Sequence, residues 1–326
     1  MAEYINIRGQ SIEVLASDPA NPTIGQIWYN STSNTLKGLG VTIAGSWATG
    51  NNMNTARLMG GSAGIQTAAL GAGGELIPGG ATGATEEYDG ASWTNSNNMN
   101  TGRRVSAGAG TQTAGLVAGG NTTVDVGATE EYDGNSWTNS NPLNTIRGNL
   151  SGAGIQTAAL VFGGGTPPYT TATEEYDGTS WATSPGSLNT ARGDGAGAGT
   201  QTAGLAFGGR NPSATGATEE YNGATWTSSN SLNTARYYLD GCGTQTAALG
   251  FGGNIPPDSA ATEEYDGTSW ATSPGSLNTA RHVLGGAGTQ TAGLAFGGYQ
   301  VSGTAQNVTE EWTGAGAPQT KTITAS

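Results

Sequence analysis

Short segments of alternating apolar and polar residues, separated by glycine-rich turns, make up most of this chain. Segments such as AGLAFGG and ATEEY have the length of β-strands and are too short for helices. In each unit an arginine precedes a glycine-rich strand, TQT makes a turn, and two more strands follow before DG leads into a fourth strand that begins with SW. Asp-Gly between two strands is a strong hairpin signal. The pattern therefore predicts four antiparallel strands in each unit.

The unit occurs six times, with 44 to 47 residues between equivalent positions. One series of aromatic residues marks this spacing: Tyr88, Tyr132, Tyr176, Tyr221, Tyr265 and Trp312. Three further series follow it: Trp47, Trp93, Trp137, Trp181, Trp226 and Trp270; Arg57, Arg103, Arg147, Arg192, Arg236 and Arg281; and Gln66, Gln112, Gln156, Gln201, Gln245 and Gln290. A period in the forties built from short strands is typical of propeller blades. We therefore predict an all-β fold, a six-bladed β-propeller.

The order of glycine pair, tyrosine and tryptophan is similar to the kelch repeat, as at Gly208–Gly209, Tyr221 and Trp226. The resemblance covers residues 41–314 and implies a kelch-like propeller. The last unit reaches Trp312 but has no SW segment after it, whereas Trp47 precedes the first full unit. We therefore expect an N-terminal strand near residues 43–48 to complete the sixth blade. The C-terminal tail, residues 315–326, alternates like a strand and is the alternative for that place.

The N-terminal segment, residues 1–40, differs in composition from the repeats. QIWYN and TLKGL flank the polar turn STSN, which predicts a β-hairpin. The stretch PTIGQIWYNSTSNTLK resembles an element of phage tail-fibre and other virion structural proteins. The resemblance implies attachment to a virion through residues 1–40, with Trp28 and Tyr29 as packing residues.

Composition argues against most catalytic chemistry. His282 is the one histidine and Cys242 the one cysteine, so the chain offers no histidine-rich metal site and no disulfide within the chain. We expect no metal, no cofactor and no enzymatic activity. The formal net charge of -13 disfavours a nucleic-acid partner. No secretion signal or membrane span is seen, so we expect neither membrane insertion nor conventional secretion.

The repeated charges are interpreted as structural. Paired glutamates such as Glu174 and Glu175 suggest a glycosidase, but adjacent strand residues point to opposite faces, so one pair cannot address a single sugar. We expect one glutamate of each pair to form a buried or half-buried ion pair with the arginine of its repeat. The aspartates of the DG turns could be calcium ligands, yet Asn222 replaces one of them and turn chemistry explains them.

Binding chemistry is expected where the repeats differ: the loop after the double glycine and the start of the strand after each arginine. In an up-and-down blade these two segments lie at the same end of the sheet. The predicted binding face therefore has one group near the axis, Arg104, Asn149, Asp194, Tyr237, Tyr238 and His282, and another in the rim loops, Tyr169, Arg210, Asn211, Tyr299 and Gln300. Drift in exposed loops is the competing explanation of this diversity.

The favoured hypothesis is a non-enzymatic virion appendage, released by lysis, whose propeller face binds a host-surface glycan or protein or a neighbouring subunit. The alternatives are a bacterial surface adhesin or carbohydrate-binding propeller and, less favoured, a propeller enzyme. The sequence leaves open the ligand, the oligomeric state and the choice between head and tail.

Overall fold

The computed structural model describes residues 12–41, 44–165, 167–316 and 318–323. These residues divide into two compact units. One contains the chain up to residue 45 together with the chain from residue 314 onward, and the other is Ser46–Thr313. No helix in the described ranges is long and apolar enough to cross a membrane.

The larger unit consists of six four-stranded antiparallel sheets, each the blade predicted from one repeat. The first, inner strands are β5 (Leu58–Ile65), β9 (Ala107–Thr111), β13 (Ser151–Ile155), β17 (Ala196–Thr200), β21 (Asp240–Thr244) and β25 (Gly285–Gly288). The second strands are β6 (Ala68–Leu76), β10 (Ala114–Ala118), β14 (Ala158–Phe162), β18 (Ala203–Phe207), β22 (Ala247–Phe251) and β26 (Ala292–Phe296). The third strands are β7 (Gly80–Tyr88), β11 (Thr129–Tyr132), β15 (Thr173–Tyr176), β19 (Thr218–Tyr221), β23 (Thr262–Tyr265) and β29 (Thr309–Thr313). The outer strands are β8 (Trp93–Ser96), β12 (Trp137–Ser140), β16 (Trp181–Thr183), β20 (Trp226–Ser229), β24 (Trp270–Thr272) and β4 (Ser46–Thr49). The blades are numbered 1 to 6 in the order of these lists. In blade 6 a small hairpin, β27 (Tyr299–Gln300) and β28 (Thr304–Ala305), lies between the second and third strands.

The ring of blades closes through the N-terminal strand. Each inner strand contacts the next, and β25 contacts β5. Strand β4 pairs with β29, which places Trp47 opposite Trp312. The predicted composite sixth blade is confirmed, although its strand begins at Ser46 and position 43 lies outside the described residues. Closure leaves no inner edge of the ring without a neighbour.

The inner strands are rich in glycine because they approach one another closely around the axis. A Cβ placed on Gly197 would lie 2.2 Å from the carbonyl oxygen of Gly152 in the neighbouring blade. Apolar side chains then fill the wedge-shaped spaces farther out, one cluster at each of the six blade junctions among the described residues. At the junction of blades 4 and 5, for example, Phe207 packs against Trp270 with ring centroids 4.8 Å apart. Each blade therefore completes its core only with a neighbour.

The repeated arginines are buried and pair with one glutamate of each pair, as expected from the sequence; the structure shows that it is the first. The six pairs are Arg57–Glu86, Arg103–Glu130, Arg147–Glu174, Arg192–Glu219, Arg236–Glu263 and Arg281–Glu310. In blade 4 the guanidinium and carboxylate atoms lie 2.6 Å apart. The same carboxylate accepts the backbone N–H groups of Asn189 and Thr190, so it also fixes the segment that connects two blades.

The other repeated polar groups join one blade to the next. The second glutamate accepts the tyrosine hydroxyl of the following blade, as Glu131 does from Tyr176. Burial and then this carboxylate raise the pKa of Tyr176 to about 12, which keeps the phenol protonated. The tryptophan indole donates to the threonine of the preceding blade, at 2.9 Å for Trp226 and Thr173. The glutamine amide donates to two backbone carbonyls of the preceding blade, as Gln156 does.

The aspartates of the DG turns fold their own loops. Asp177 Oδ1 accepts the backbone N–H groups of Thr179 at 2.8 Å and Ser180 at 2.7 Å. These backbone hydrogen bonds lower the pKa of Asp177 below its usual range. Asn222 makes the same two bonds in blade 4 without a charge, which agrees with the turn interpretation.

The smaller unit is a four-stranded sheet around the predicted hairpin. Strands β2 (Ile27–Asn30) and β3 (Thr35–Val41) pair antiparallel, β1 (Glu13–Leu15) adds in parallel to β2, and β30 (Pro318–Thr322) adds antiparallel to β3. The tail strand thus belongs to this sheet and not to the sixth blade.

The centre of the smaller unit is the buried Trp28, which is 0% exposed. Its indole donates to Asp18, which also accepts from Asn30 and Lys37. These contacts, with Lys37 first, lower the pKa of Asp18 to about 2. Tyr29 is half-buried.

We expect Glu263→Gln to lower the free energy of unfolding by about 3 kcal/mol, because it removes the carboxylate from the buried Arg236. Glu264→Gln is the matched control. Trp312 stands at the tyrosine position of the following blade, so Glu264 receives no tyrosine hydroxyl from the repeat series, and its loss should cost less than about 0.5 kcal/mol. Urea denaturation followed by tryptophan fluorescence measures both variants. Equal stabilities would contradict the structural role of the ion pair.

Closure of the sixth blade predicts different results at the two ends of the chain. Trp47→Ala should destabilise the propeller by about 3–5 kcal/mol, because it empties the core between blades 5 and 6. A chain that stops after residue 316 should keep the propeller transition in thermal unfolding, because it loses only β30. If the truncation lowers the unfolding temperature of the propeller and Trp47→Ala does not, the tail strand closes the ring instead of β4.

Candidate binding site at the channel mouth

The two variable segments of each repeat meet at one end of the propeller. In four blades of the described structure a β-bridge joins the start of the inner-strand segment to the residue after the double glycine: Arg104–Asn121, Gly193–Arg210, Tyr237–Asn254 and His282–Tyr299. An axial channel of about 140 Å³, lined by the inner-strand segments of all six blades, lies next to these bridges. We call this end of the propeller the mouth face.

A ring of backbone hydrogen bonds surrounds the channel at the mouth face. It involves the second residue after each repeated arginine: Met59, Val105, Asn149, Asp194, Tyr238 and Val283. Within the described chain, five of these residues donate their N–H to the carbonyl of the equivalent residue in the preceding blade, over 2.7 to 3.0 Å. We call this ring the collar.

Five of the six collar residues have an unusual backbone conformation. Val105, Asn149, Asp194, Tyr238 and Val283 all have positive φ, between 48° and 61°. This left-handed region is unfavourable for valine in particular and costs on the order of 1–3 kcal/mol per residue. Four of the five also donate their N–H to the collar residue of the preceding blade. Strain of this kind concentrates at functional sites.

An outer chamber of about 400 Å³ lies beside the collar. Tyr238, His282 and Tyr299 form its aromatic side. The ring centroids of Tyr238 and His282 are 5.9 Å apart in a stacked arrangement, and Tyr299 meets His282 edge-on at 5.5 Å. The rest of the wall comes from blades 1 to 3 and from the collar: Leu58, Glu75, Arg104, Asn121, Asn149, Val105 and Val283. The chamber and the channel share four collar residues, so the two spaces adjoin at the collar.

Arg210 organises a second cluster next to the chamber. Its Nε donates to Asp194 at 2.6 Å and to the Tyr169 hydroxyl at 3.0 Å, and its Nη2 donates to the Tyr238 hydroxyl at 3.0 Å. The guanidinium also lies over the ring of Tyr237, 4.6 Å from its centroid. Burial raises the pKa of Asp194, while Arg210 acts in the opposite direction. Arg210 therefore fixes the position of Tyr238 in the chamber wall.

His282 is held in the same way by a carboxylate. Its Nδ1 lies 2.6 Å from Asp258, which also accepts the amide of Asn254 and the backbone N–H of Val301. Asp258 thus ties a rim loop of blade 5 to a rim loop of blade 6 and orients the imidazole. The sequence contained a signal for the role of Asp258. Asp258 is an acid in a variable loop, and His282 is likewise a residue outside the repeat pattern, so the two could have been considered as partners.

The structure brings most of the predicted face together and separates part of it. Arg104, Asn149, Tyr238, His282 and Tyr299 line the chamber. Tyr169 and Asp194 are buried and accept hydrogen bonds from Arg210 Nε, and Asp194 also lines the channel. Asn211 and Gln300 lie outside both cavities, and each donates its amide to the backbone carbonyl just before a repeated arginine. The sequence prediction missed Glu75, Asn121 and Asp258 at the mouth face.

Asp240 is one of two aspartates in the described chain that line the channel, and Asp194 is the other. Asp240 accepts from its neighbour Gly241 N–H at 2.8 Å and from Ser62 Oγ at 3.3 Å. Burial raises the pKa of Asp240 to about 7, against the effect of these hydrogen bonds. Among the described residues, no group of three or more His, Cys, Asp or Glu side chains is placed to hold a metal ion.

The raised pKa of Asp240 predicts a pH-dependent cost to stability. The unfolded chain releases this proton near its ordinary pKa of 3.8 and the folded chain near 7, so stability falls as pH rises between these values. We expect Asp240→Asn to raise stability by on the order of 1–3 kcal/mol at pH 8 and to leave it unchanged near pH 4. Melting temperatures of both proteins across this range measure the effect. A difference that is independent of pH would contradict it.

Comparison with known proteins supports the fold. No family model and no curated protein sequence matches the chain. Among 401 matching solved chains is the structure of YjhT, with a TM-score of 0.66 and 14% identity over 79% of this chain and 95% of that chain. At this identity the similarity shows the fold alone. Together with the six repeated sheets, it supports the kelch-like β-propeller predicted from the repeats.

Proposed function

We propose that this chain is a non-enzymatic virion appendage that binds a surface ligand through the mouth face of its propeller. The observation that carries the proposal is that repeated residues hold the blades together, whereas non-repeated residues line the mouth face. The repeated arginine, glutamate, tyrosine, tryptophan and glutamine side chains are engaged in ion pairs or hydrogen bonds inside and between blades. The non-repeated residues surround a chamber that is open to solvent.

The mouth face has the features of a prepared binding site. The chamber volume of about 400 Å³ falls in the range of small-molecule sites, about 300–1,000 Å³. Its aromatic side chains are fixed by Arg210 and Asp258, and its floor is the strained collar. Drift in exposed loops does not by itself produce supported aromatic rings and a strained backbone ring.

The arrangement of carboxylates supports binding over hydrolysis. Hydrolysis of a glycosidic bond uses two carboxyl groups that both reach the bond. At the mouth face Asp194, Asp258 and Glu75 are each occupied by a cationic or imidazole partner. Asp240 lies in the channel and has no second carboxylate among its hydrogen-bond partners in the described chain.

The virion part of the proposal rests on the N-terminal element. The residues of the phage-like motif form the hairpin β2–β3, with the indole of Trp28 buried against the Asp18 contacts. We propose that this sheet is the part that attaches to the particle and that the propeller is the part that binds.

Two measurements test the proposal. Gold-labelled antibody against the propeller should decorate the particles released by lysis of the strain that carries the gene; unlabelled particles would defeat the virion role. Fluorescently labelled full-length protein should bind host cells, and the double variant His282→Ala, Tyr299→Ala should bind at least about tenfold more weakly, a loss of about 1.4 kcal/mol.

The matched control removes two exposed side chains at the opposite end of the propeller. Ile65 and Ile155 lie at the turns between first and second strands, with exposed fractions of 52% and 54%. Ile65→Ala with Ile155→Ala should leave cell binding unchanged. Equal binding by both double variants would show that the mouth face is not the binding surface.

A further inference from the structure

The chemistry of the outer chamber narrows the kind of ligand that it can take. Both arginines at its wall or beside it have carboxylate partners: Arg104 pairs with Glu75 and Arg210 with Asp194. The imidazole of His282 also contacts a carboxylate, that of Asp258. An anionic ligand would have to separate one of these pairs and leave a carboxylate without its partner, which is costly for the partly buried pairs. The chamber is therefore poorly suited to an anionic ligand.

The chamber wall contains uncharged polar groups that have no hydrogen-bond partner within the described residues. Among the described residues, neither the Tyr299 hydroxyl nor His282 Nε2 has a hydrogen-bond partner. Asn121 uses its amide N–H on Asp125, and its Oδ1 is buried without a partner. A buried acceptor of this kind costs free energy until a donor reaches it. The wall thus offers both donors and acceptors without formal charge.

The aromatic side chains offer flat apolar area next to these polar groups. Tyr238, His282 and Tyr299 are half-buried, so part of each ring is accessible from the chamber. Such residues pair an apolar ring with a polar tip and suit ligands that are apolar on one face and polar at the edge. The channel below, at about 140 Å³, has about a third of the chamber's volume, so a ligand of this kind is held above the collar.

From these observations we infer that the outer chamber binds an uncharged sugar ring, such as a neutral hexose unit of a surface glycan. A sugar ring has an apolar face of C–H groups and hydroxyls at its edge that donate and accept. The inference rests on the proposed binding function and names its ligand class. The ring packs on the aromatic side, and its hydroxyls reach Tyr299 and His282.

A protein partner fits the mouth face less well. The exposed aliphatic side chains of the rim, Ile77, Val124, Ile255 and Val301, belong to separate loops in four different blades. Single exposed aliphatic residues are ordinary on protein surfaces, and only a contiguous patch indicates a protein interface. The concave chamber is the more specific feature.

The test compares sugars that differ only in charge. Glucose differs from glucuronic acid, and galactose from galacturonic acid, only at C6, which is a hydroxymethyl group in the neutral sugar and a carboxylate in the acid. Saturation-transfer NMR on the full chain gives their relative affinities, with mannose and N-acetylglucosamine as further neutral probes. We expect at least one neutral sugar to bind at least about tenfold more tightly than its acid, and Tyr299→Ala to abolish this signal. Ile65→Ala, at the opposite end, should have no effect.

A second variant tests the charge argument directly. Glu75→Gln frees Arg104 from its partner, so this variant should gain binding of the uronic acid by about tenfold relative to the native chain. The inference is overturned if the native chain binds an acid as well as its neutral counterpart, or if Tyr299→Ala leaves sugar binding intact. It is also overturned if no sugar binds while cell binding still depends on the mouth face, a result that leaves the proposed function standing. If no sugar binds and cell binding does not depend on the mouth face, the proposed function is defeated as well.

Discussion

The third strand of each blade carries the interaction on which the whole ring depends. In its TEEY segment the threonine accepts the indole of the next blade, the first glutamate neutralises the buried arginine, and the second glutamate accepts the next tyrosine hydroxyl. Because side chains alternate along a strand, these three consecutive residues serve both faces of the blade. A blade without neighbours would expose apolar rings and leave polar partners unpaired. Stability is therefore a property of the closed ring.

This constraint explains why so much of the fold could be predicted from the sequence. The same side chain recurs at the same place in six copies, so the pattern indicates the strands and the ion pair between each arginine and one glutamate of its repeat. The missing SW segment after Trp312 favoured closure through Trp47, with the C-terminal tail as the alternative. The DG aspartates were predictable for the same reason, since Asn222 shows that charge is dispensable there. Local patterning and tertiary packing agree at these positions.

The mouth face was less predictable because its side chains differ from one repeat to the next. Val105 and Val283 have a backbone conformation that valine disfavours, so their sequence gives no sign of the collar, which only the assembled ring imposes. Asp194 was predicted as a face residue and is buried instead, because the variable segments cover it together with Arg210. Glu75 and Asp258 were missed, yet each is an acid in a variable loop opposite a variable Arg104 or His282. A search for partners among the charged residues outside the repeat pattern would have found Glu75 and Asp258.

The two ends of the chain are joined twice, once by β4 with β29 and once by β3 with β30. This has a consequence for the order of events during synthesis. Trp47 leaves the ribosome early, but its partner Trp312 is made 265 residues later. Until then blades 1 and 6 cannot form their junction, and the N-terminal sheet lacks its fourth strand. Long-range pairings of this kind form late and keep strand edges open to other chains in the meantime. Translation must run nearly the full length of this sequence before either unit is complete.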